Sequence, residues 1–271
     1  MAARSAEVWK DMTVGEFVTL TVEDGVGLVR LDRPPANAIS HQVGRELGEA
    51  VHEARDRGDV GSVVVWGGPR IFAAGADIKE MAGFGPGEIE PVVATLGDAL
   101  EALEAMPKVS IAAINGFALG GGFEIALACD LRFAATDAEV GQPEIGLGVI
   151  PGAGGTQRLA RLAPAAVRDL VFTGRRVPSD EALRAGLVDR VSPAAGLLDD
   201  AVREARGFAA GPRRALAAAK AAIRAAYETP GARGFASERK AFVALFGTAD
   251  QKEGMRAFLE KREPRFGEEP R

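Results

Sequence analysis

Asn115-Gly116-Phe117-Ala118-Leu119-Gly120-Gly121-Gly122-Phe123-Glu124 is the stretch on which the rest of the chain turns. Just before it, residues 109–114 (Val-Ser-Ile-Ala-Ala-Ile) read as a strand that runs into Asn115-Gly116. Just after, a helix opens within residues 120–122 and carries Glu124 and Ala128. The first N–H groups of a helix have no partner inside it, and the helix dipole favours negative charge there. Glycine lets a ligand approach that backbone closely. The run can therefore form an oxyanion hole or a phosphate cradle; tight strand–helix packing accounts for the glycines equally well. Glu124 sits among glycine and apolar residues, which withhold solvation from its charged form. Its pKa can then rise toward the pH of general acid–base chemistry. Glu144 is set in the same way, in Gly141-Gln142-Pro143-Glu144-Ile145-Gly146-Leu147-Gly148.

Outward from this stretch, strands and helices alternate. Residues 17–22 and 26–31 are β-rich and flank Asp24-Gly25, a hairpin signal. Asp32-Arg33-Pro34-Pro35 stops the second strand. Ser40 caps a helix running to about Arg57, with Val43, Leu47, Ala50, Val51 and Ala54 at helical spacing. Residues 62–66 read as a buried strand, 69–87 as loop plus a short helix, 88–105 as a helix ending before Pro107, and 131–135 as a short strand. Residues 154–172 look helical with a break near Pro164, and Ser179 starts another short helix. After Pro193 the composition shifts. Residues 199–262 are Ala-rich and helical in pattern, interrupted at Gly211-Pro212 and Pro230-Gly231. The expected architecture is an α/β core, residues 1–198, with an α-helical region at 199–271.

The chain has 271 residues, 47% of them apolar, enough for a sizeable core without metals or disulfides. Its formal net charge is −5, and no basic block marks nucleic acid as a partner. One cysteine, Cys129, rules out an intramolecular disulfide and fits a reducing compartment. Residues 1–12 lack the apolar stretch of a secretory signal, and no run approaches the roughly 18 apolar residues of a membrane span. The expectation is a soluble, cytoplasmic protein without membrane association.

Phe72-Ala73-Ala74-Gly75-Ala76-Asp77-Ile78-Lys79 is a second loop of small residues after a strand. Alone it is a tight turn. Beside residues 120–122 it gains meaning, because an oxyanion hole usually takes two donors. Nucleotide fingerprints fit poorly: there is no P-loop, and Gly152-Ala153-Gly154-Gly155 follows Pro151 rather than a clear strand. Gly-x-Ser-x-Gly is absent, which argues against an α/β-hydrolase nucleophile. His41 and His52 lie on one helix without partners at metal-ligand spacing, so exposed helix histidines are expected and no metal site. Cys129 reads as core packing and Asp130 as a cap or structural pair. Lys252, Glu253, Arg256, Glu260, Lys261 and Arg262 read as a solvated helix face.

Taken in order, Gly75-Ala76-Asp77-Ile78-Lys79, Asn115-Gly116 through Glu124, Ala128-Cys129-Asp130, Gln142-Pro143-Glu144 and Pro151-Gly152-Ala153-Gly154-Gly155-Thr156-Gln157-Arg158-Leu159 resemble the enoyl-CoA hydratase/isomerase family, the crotonase superfamily. The similarity runs from the hairpin near residue 17 to Glu260-Lys261-Arg262. It implies a core of ββα units wound into a short superhelix, followed by a helical C-terminal trimerisation segment. The expected assembly is a homotrimer or a dimer of trimers.

Carried over by position, the oxyanion hole is the backbone N–H of Ala76 and Gly121, holding the thioester oxygen as enolate charge develops. Glu124 orients and activates a water, and Glu144 exchanges the proton at C2. Many family members keep one of these carboxyls; hydratases keep both, because hydration must both aim a water at C3 and deliver a proton to C2. The resemblance implies an enoyl-CoA hydratase, a hydro-lyase of fatty acid metabolism of the β-oxidation type. It adds water reversibly and in the syn sense to a trans-2-enoyl-CoA, giving a 3-hydroxyacyl-CoA. No cofactor is expected beyond the coenzyme A of the substrate. CoA and substrate contacts are implied at Ala36, Ala74, Asp77, Ile78, Lys79 and Gly120, and at Phe258 and Lys261, which reach the CoA of a neighbouring subunit. Arg33-Pro34-Pro35-Ala36-Asn37-Ala38 is shorter than the family's usual segment and lacks its common Lys, which bears on contacts to the CoA phosphates. The rival readings are an enoyl-CoA isomerase or acyl-CoA lyase of the same family, and a non-catalytic CoA- or RNA-binding homologue.

Overall fold

The computed structural model describes residues 10–228, 232–246 and 248–267. Three strands open the chain: β1 (Lys10–Val14), β2 (Val18–Glu23) and β3 (Val26–Leu31). Asp24 and Gly25, both at positive φ, turn β2 back onto β3 in antiparallel register, Val22 opposite Gly27. Ser40 caps α1 (His41–Asp56) by accepting the N–H of Val43. Then follow β4 (Ser62–Trp66), α2 (Ile78–Met81), α3 (Pro86–Ala105), β5 (Val109–Ile114), β6 (Phe117–Leu119), α4 (Gly121–Ala128), β7 (Leu131–Ala135) and β8 (Glu139–Gly141). A 3₁₀ turn (Pro143–Leu147) leads to α5 (Gly155–Leu162), α6 (Val167–Thr173), β9 (Arg176–Pro178), α7 (Ser179–Arg184) and β10 (Arg190–Ser192).

Two sheets result. The larger has the order β1-β2-β3-β4-β5-β7-β10, antiparallel from β1 to β3 and parallel from there on. The smaller has the order β6-β8-β9. Single bridges extend it: Ile39 pairs in parallel with Ala76, and Ala73 with Ala118. This pairing reveals the repeat. After β3, β4, β5 and β7 alike, the chain turns a corner and adds a short extended piece to the second layer. Those pieces are Ile39, residues 73–76, β6 and β8. After the first three, helices return the chain to the start of the next strand of the larger sheet; after β8, α5 and α6 lead to β9, antiparallel to β8, and α7 then leads to β10. Four such ββα units, stacked in parallel, are a superhelix. No short sequence repeat announces it, because the second strand of each unit is only one to four residues long.

The strands at the centre are covered on both faces, as parallel strands flanked by helices must be. Val63, Val64 and Val65 of β4 are fully buried, each contributing on the order of 1.5–3 kcal/mol. Two buried serines in these strands, Ser62 of β4 and Ser110 of β5, find partners in other elements. Ser62 Oγ donates to the carbonyl of Ala205 at 2.7 Å. Asp130 Oδ2 accepts from the N–H and hydroxyl of Ser110, at 2.8 and 2.9 Å, and from Lys220 Nζ at 2.7 Å, the structural pairing anticipated for it. Cys129 is buried in the core, and that burial pushes its thiol up to about 12, so it is chemically quiet.

Helices alone follow β10: α8 (Leu197–Ala210), α9 (Arg213–Glu228), α10 (Ala232–Leu245) and α11 (Ala249–Glu260). The break at Gly211-Pro212 falls where the sequence places it; the one at Pro230-Gly231 lies outside the described residues. A further break separates α10 from α11. Thr248 makes it, accepting the N–H of Gln251 as an N-cap. The α8 helix packs on β4 and β5, whereas α9 pairs with α10. Exposed apolar side chains gather on the last helices: Phe235 and Phe242 on α10, Phe258 and Leu259 on α11.

Candidate active site

The smaller sheet positions the site. Where β6 ends, Gly120 adopts φ +51° and the chain enters α4, every residue of which is buried. Glycine is required at Gly122, because a β-carbon there would fall on the carbonyl of Ala73 in the neighbouring unit. Two small-residue loops thereby come into contact, residues 73–76 and 120–122. Ile39 pins the first by donating to the Gly75 carbonyl (2.8 Å) and accepting from the Asp77 N–H (2.9 Å). Neither bond uses the N–H of Ala76. Gly121 is the first residue of α4, so its N–H has no intrahelical acceptor. An ideal β-carbon on Gly121 would lie 4.0 Å from Ala76 N, so the two candidate donors are close neighbours.

Glu124 lies one turn into α4 and is 3% exposed. Its Oε1 accepts two backbone N–H groups, from Ala153 at 2.8 Å and Gly155 at 2.7 Å. Burial raises its pKa; those two bonds and the nearby Arg158 charge pull it back only part of the way. Glu144 stands on the 3₁₀ turn, half-buried. An ideal β-carbon on Gly120 would lie 2.9 Å from its Oε1, which puts this carboxyl beside the donor loop. Burial, with help from the Glu124 charge, lifts Glu144 to about 7. The fully buried Gln142, its amide oriented to suit its neighbours, donates to both Glu144 oxygens at 2.8 and 3.1 Å.

Both carboxyls, the two loops and Gly152-Ala153 line one cavity of about 260 Å³. Its remaining wall is apolar, built mainly by Met81, Ile89, Val92, Val93 and Leu96 of α2 and α3. The arrangement can hold a developing oxyanion on backbone donors while two carboxyls of raised pKa move protons beside it.

Among the residues anticipated for CoA and substrate, Ala74, Ile78 and Gly120 line this cavity. Ala36 stands behind the loop, its carbonyl accepting the N–H of Ala74 at 3.0 Å. Lys79 is exposed on α2. The Asp77 carboxylate is occupied: Arg33 donates to it at 2.7 Å, and it caps α2 by accepting the N–H groups of Lys79 and Glu80. The Arg33 guanidinium holds the Asp77 carboxyl below the usual range, and these bonds tie the Ala76 loop to Arg33 and to the start of α2. Phe258 and Lys261 are not brought to the cavity within this chain; Phe258 projects from α11, 82% exposed. His41 and His52 are exposed on α1, as expected.

Sequence reasoning misses the support beneath Glu124. Residue by residue, Gly152-Ala153-Gly154-Gly155 reads only as a poor nucleotide loop, yet a buried carboxylate needs donors, and a glycine-rich loop later in the chain is where to look for them. Gln142 stands in its motif with no task assigned to it. Among the described residues, no group of three or more His, Cys, Asp or Glu side chains is placed to hold a metal ion, and no helix is long and apolar enough to cross a membrane.

Comparison with known proteins gives a consistent result. Residues 21–269 match the family model described as enoyl-CoA hydratase/isomerase. A Mycobacterium tuberculosis protein named as a probable enoyl-CoA hydratase is 44% identical over 255 residues, covering 93% of this chain and 98% of its own. The mitochondrial enoyl-CoA hydratase of Pongo abelii is 40% identical, covering 89% of this chain and 83% of its own. Among solved structures, an enoyl-CoA hydratase from Geobacillus kaustophilus superimposes with a TM-score of 0.91 at 35% identity, covering 95% of this chain and 98% of that one.

Proposed function

The chain belongs to the enoyl-CoA hydratase/isomerase family, and within it we propose that this protein is an enoyl-CoA hydratase acting through Glu124, Glu144 and the N–H groups of Ala76 and Gly121. The observation that carries the reading is the pair of glutamates facing one cavity beside two adjacent backbone donors. A single carboxyl suffices to shuttle a proton along an acyl chain. Two are needed to handle a water at C3 and a proton at C2.

In the proposed reaction, the thioester oxygen of a trans-2-enoyl-CoA accepts the N–H groups of Ala76 and Gly121. Oε1 of Glu124 is occupied by Ala153 and Gly155, so Oε2 takes a proton from the attacking water as its oxygen bonds to C3. Electron density moves through C2 to the thioester oxygen, where the two donors stabilise it. Glu144 then delivers its proton to C2, giving the 3-hydroxyacyl-CoA. Both carboxyls line one cavity with the donor loops, which suits syn addition. The chemistry calls on no metal or redox group. Steady loss of the enoyl absorbance of crotonyl-CoA tests the proposal; no turnover on short, medium or long enoyl chains, or turnover of 3-enoyl-CoA substrates alone, overturns it.

The pH dependence follows from counting protons. Hydration starts with Glu124 ionised and Glu144 protonated; dehydration starts with the reverse. The active pair therefore holds one proton in either direction. Glu144 loses its proton near pH 7, so kcat/KM should fall as pH rises through about 7. It should fall again on the acid side as the pair takes up a second proton, at a pH above that of an ordinary glutamate because burial raises Glu124 too. A flat profile across the neutral range and on both sides of it would count against the pair.

The helical region from residue 199 onward is proposed to self-associate. Phe235, Phe242, Phe258 and Leu259 are each more than 60% exposed, an arrangement costly in water unless covered. Sedimentation equilibrium should give a mass of three chains or six; a monomer at micromolar concentration excludes this role.

A further inference from the structure

Behind the loop that holds Glu124 lies an ion pair for which the reaction has no direct use. Arg158, on the first turn of α5, is 8% exposed. Its Nη1 donates to the carbonyl of Ala153 at 2.7 Å, and its Nε donates to Glu104 Oε2 on α3 at 2.9 Å. Nη2 lies 2.9 Å from the same Glu104 oxygen. The carbonyl it grips belongs to the peptide joining Ala153 to Gly154. On either side of that peptide are the two that present the N–H groups of Ala153 and Gly155 to Glu124.

Resting on the hydratase reading above, we propose that Arg158, anchored by Glu104, is a positioning residue: it locks the 153–154 peptide so that both neighbouring N–H groups stay aimed at Oε1 of Glu124.

The loop needs such a lock. Residues 152–155 include three glycines, and Gly154 sits at φ +105°, so the backbone has several alternative conformations open to it. A peptide flip at 153–154 would swing the flanking N–H groups off Glu124. A guanidinium suits the task better than an ammonium, because its planar fork grips the carbonyl and Glu104 at once. Arg158 is buried and Glu104 partly so, and the two are hydrogen-bonded, so removing Glu104 leaves the buried guanidinium without its counter-charge. Arg161 is no substitute: its Nη1 is 3.7 Å from Glu104 Oε1, and its guanidinium lies over the ring of Tyr227 on α9.

The lock also sets the charge that Glu124 feels. Facing Glu124 are Glu144 from the 3₁₀ turn and Arg158 from α5, with Glu104 of α3 behind Arg158. Arg158 and the two N–H groups are the influences that hold its carboxyl down against burial. Losing them raises its affinity for protons, so the acid limb of kcat/KM moves to higher pH.

The test compares Arg158→Met, Arg158→Lys and Glu104→Gln with the wild-type protein. Arg158→Met should lower kcat on the order of 10- to 100-fold, the scale of losing alignment at a reacting group. KM should stay nearly unchanged, because the Ala76 and Gly121 donors are untouched, and the acid limb should shift upward. Arg158→Lys should restore the limb more than it restores kcat, since it returns the charge without the fork. Glu104→Gln should fall between wild type and Arg158→Met in kcat. A second readout does not depend on turnover: hydrogen exchange of a peptide covering residues 151–158. Its amides should exchange faster in Arg158→Met while β4 and β5 keep their protection. If wild type hydrates no enoyl-CoA, the hydratase reading fails, and this local exchange alone decides whether the lock exists. The proposal is overturned by unchanged exchange at 151–158, by loss of protection spread equally over the core, or by a kcat loss with an unmoved pH profile.

Discussion

Glu124→Gln and Glu144→Gln should each lower kcat for enoyl-CoA hydration on the order of a thousandfold, the middle of the range for removing a positioned acid or base. The substitutions are isosteric, and in Glu124→Gln the new amide oxygen can still accept the Ala153 and Gly155 N–H groups. The loop should therefore stay in place and KM change little. What is lost is the oxygen that takes or gives a proton. The two variants should then separate in a second measurement, exchange of the C2 hydrogen of a saturated acyl-CoA with solvent deuterium. That exchange needs the thioester oxygen held and one base at C2, but no water at C3. Glu124→Gln should keep it and Glu144→Gln should lose it. If both variants lose it equally, the division of labour is wrong; if either hydrates at near-normal rate, that residue is not catalytic.

The division rests on a difference in setting. Glu124 is anchored through one oxygen to two backbone N–H groups and has little freedom to follow a reacting carbon. It is suited to fixing a water. Glu144 sits on a short 3₁₀ turn between Gly141 and Gly148, held by the side-chain amide of Gln142 and by its own backbone N–H. It is the carboxyl whose pKa lies near neutrality, where a group can both give and take a proton at C2.

The sequence makes the long elements and both glutamates legible because their signals are local. Ser40 as a cap, Asp24-Gly25 as a turn and the valines of β4 all act over a few residues, and the helices and strands begin and end close to where those signals place them. The superhelix is invisible to such reasoning. Its second layer is built from Ile39, Ala73, Ala76, β6 and β8, pieces too short to show a period of two. Their pairing joins residues 22 to 45 positions apart in the chain. Only the ordered resemblance to a family supplies it. The same reason hides the supports of the site. Asp77 reads as a residue of the substrate loop, and its carboxylate is assigned to Arg33 only by a contact spanning 44 positions. Arg158 stands in its motif with no task assigned until the fold turns it inward onto Ala153. Thr248 is a milder case: Gly247-Thr248 offers a break and a cap in the sequence, and the helical pattern of residues 199–262 passes over it.

Gly121→Pro should cut kcat by roughly a hundredfold or more while α4 stays folded. Proline is favoured at the first position of a helix, where its fixed φ fits and the N–H it lacks has no intrahelical partner. Gly121 occupies that position in α4. The helix therefore loses nothing, and the site loses one of its two oxyanion donors, worth about 3 kcal/mol of barrier. The proline ring also fills space that the thioester oxygen would take, which adds to the loss. Gly121→Ala is the matched control. Its β-carbon would meet Leu96 at 3.6 Å and Ile39 at 3.8 Å, ordinary contact distances, and its N–H remains. Alanine should keep most of kcat where proline removes it, with both variants giving a wild-type circular dichroism spectrum and melting temperature. That contrast isolates the backbone from the side chain. Equal losses in the two variants would mean that the space at Gly121, and not its N–H, is what the reaction needs; wild-type turnover in the proline variant would remove Gly121 from the oxyanion hole altogether.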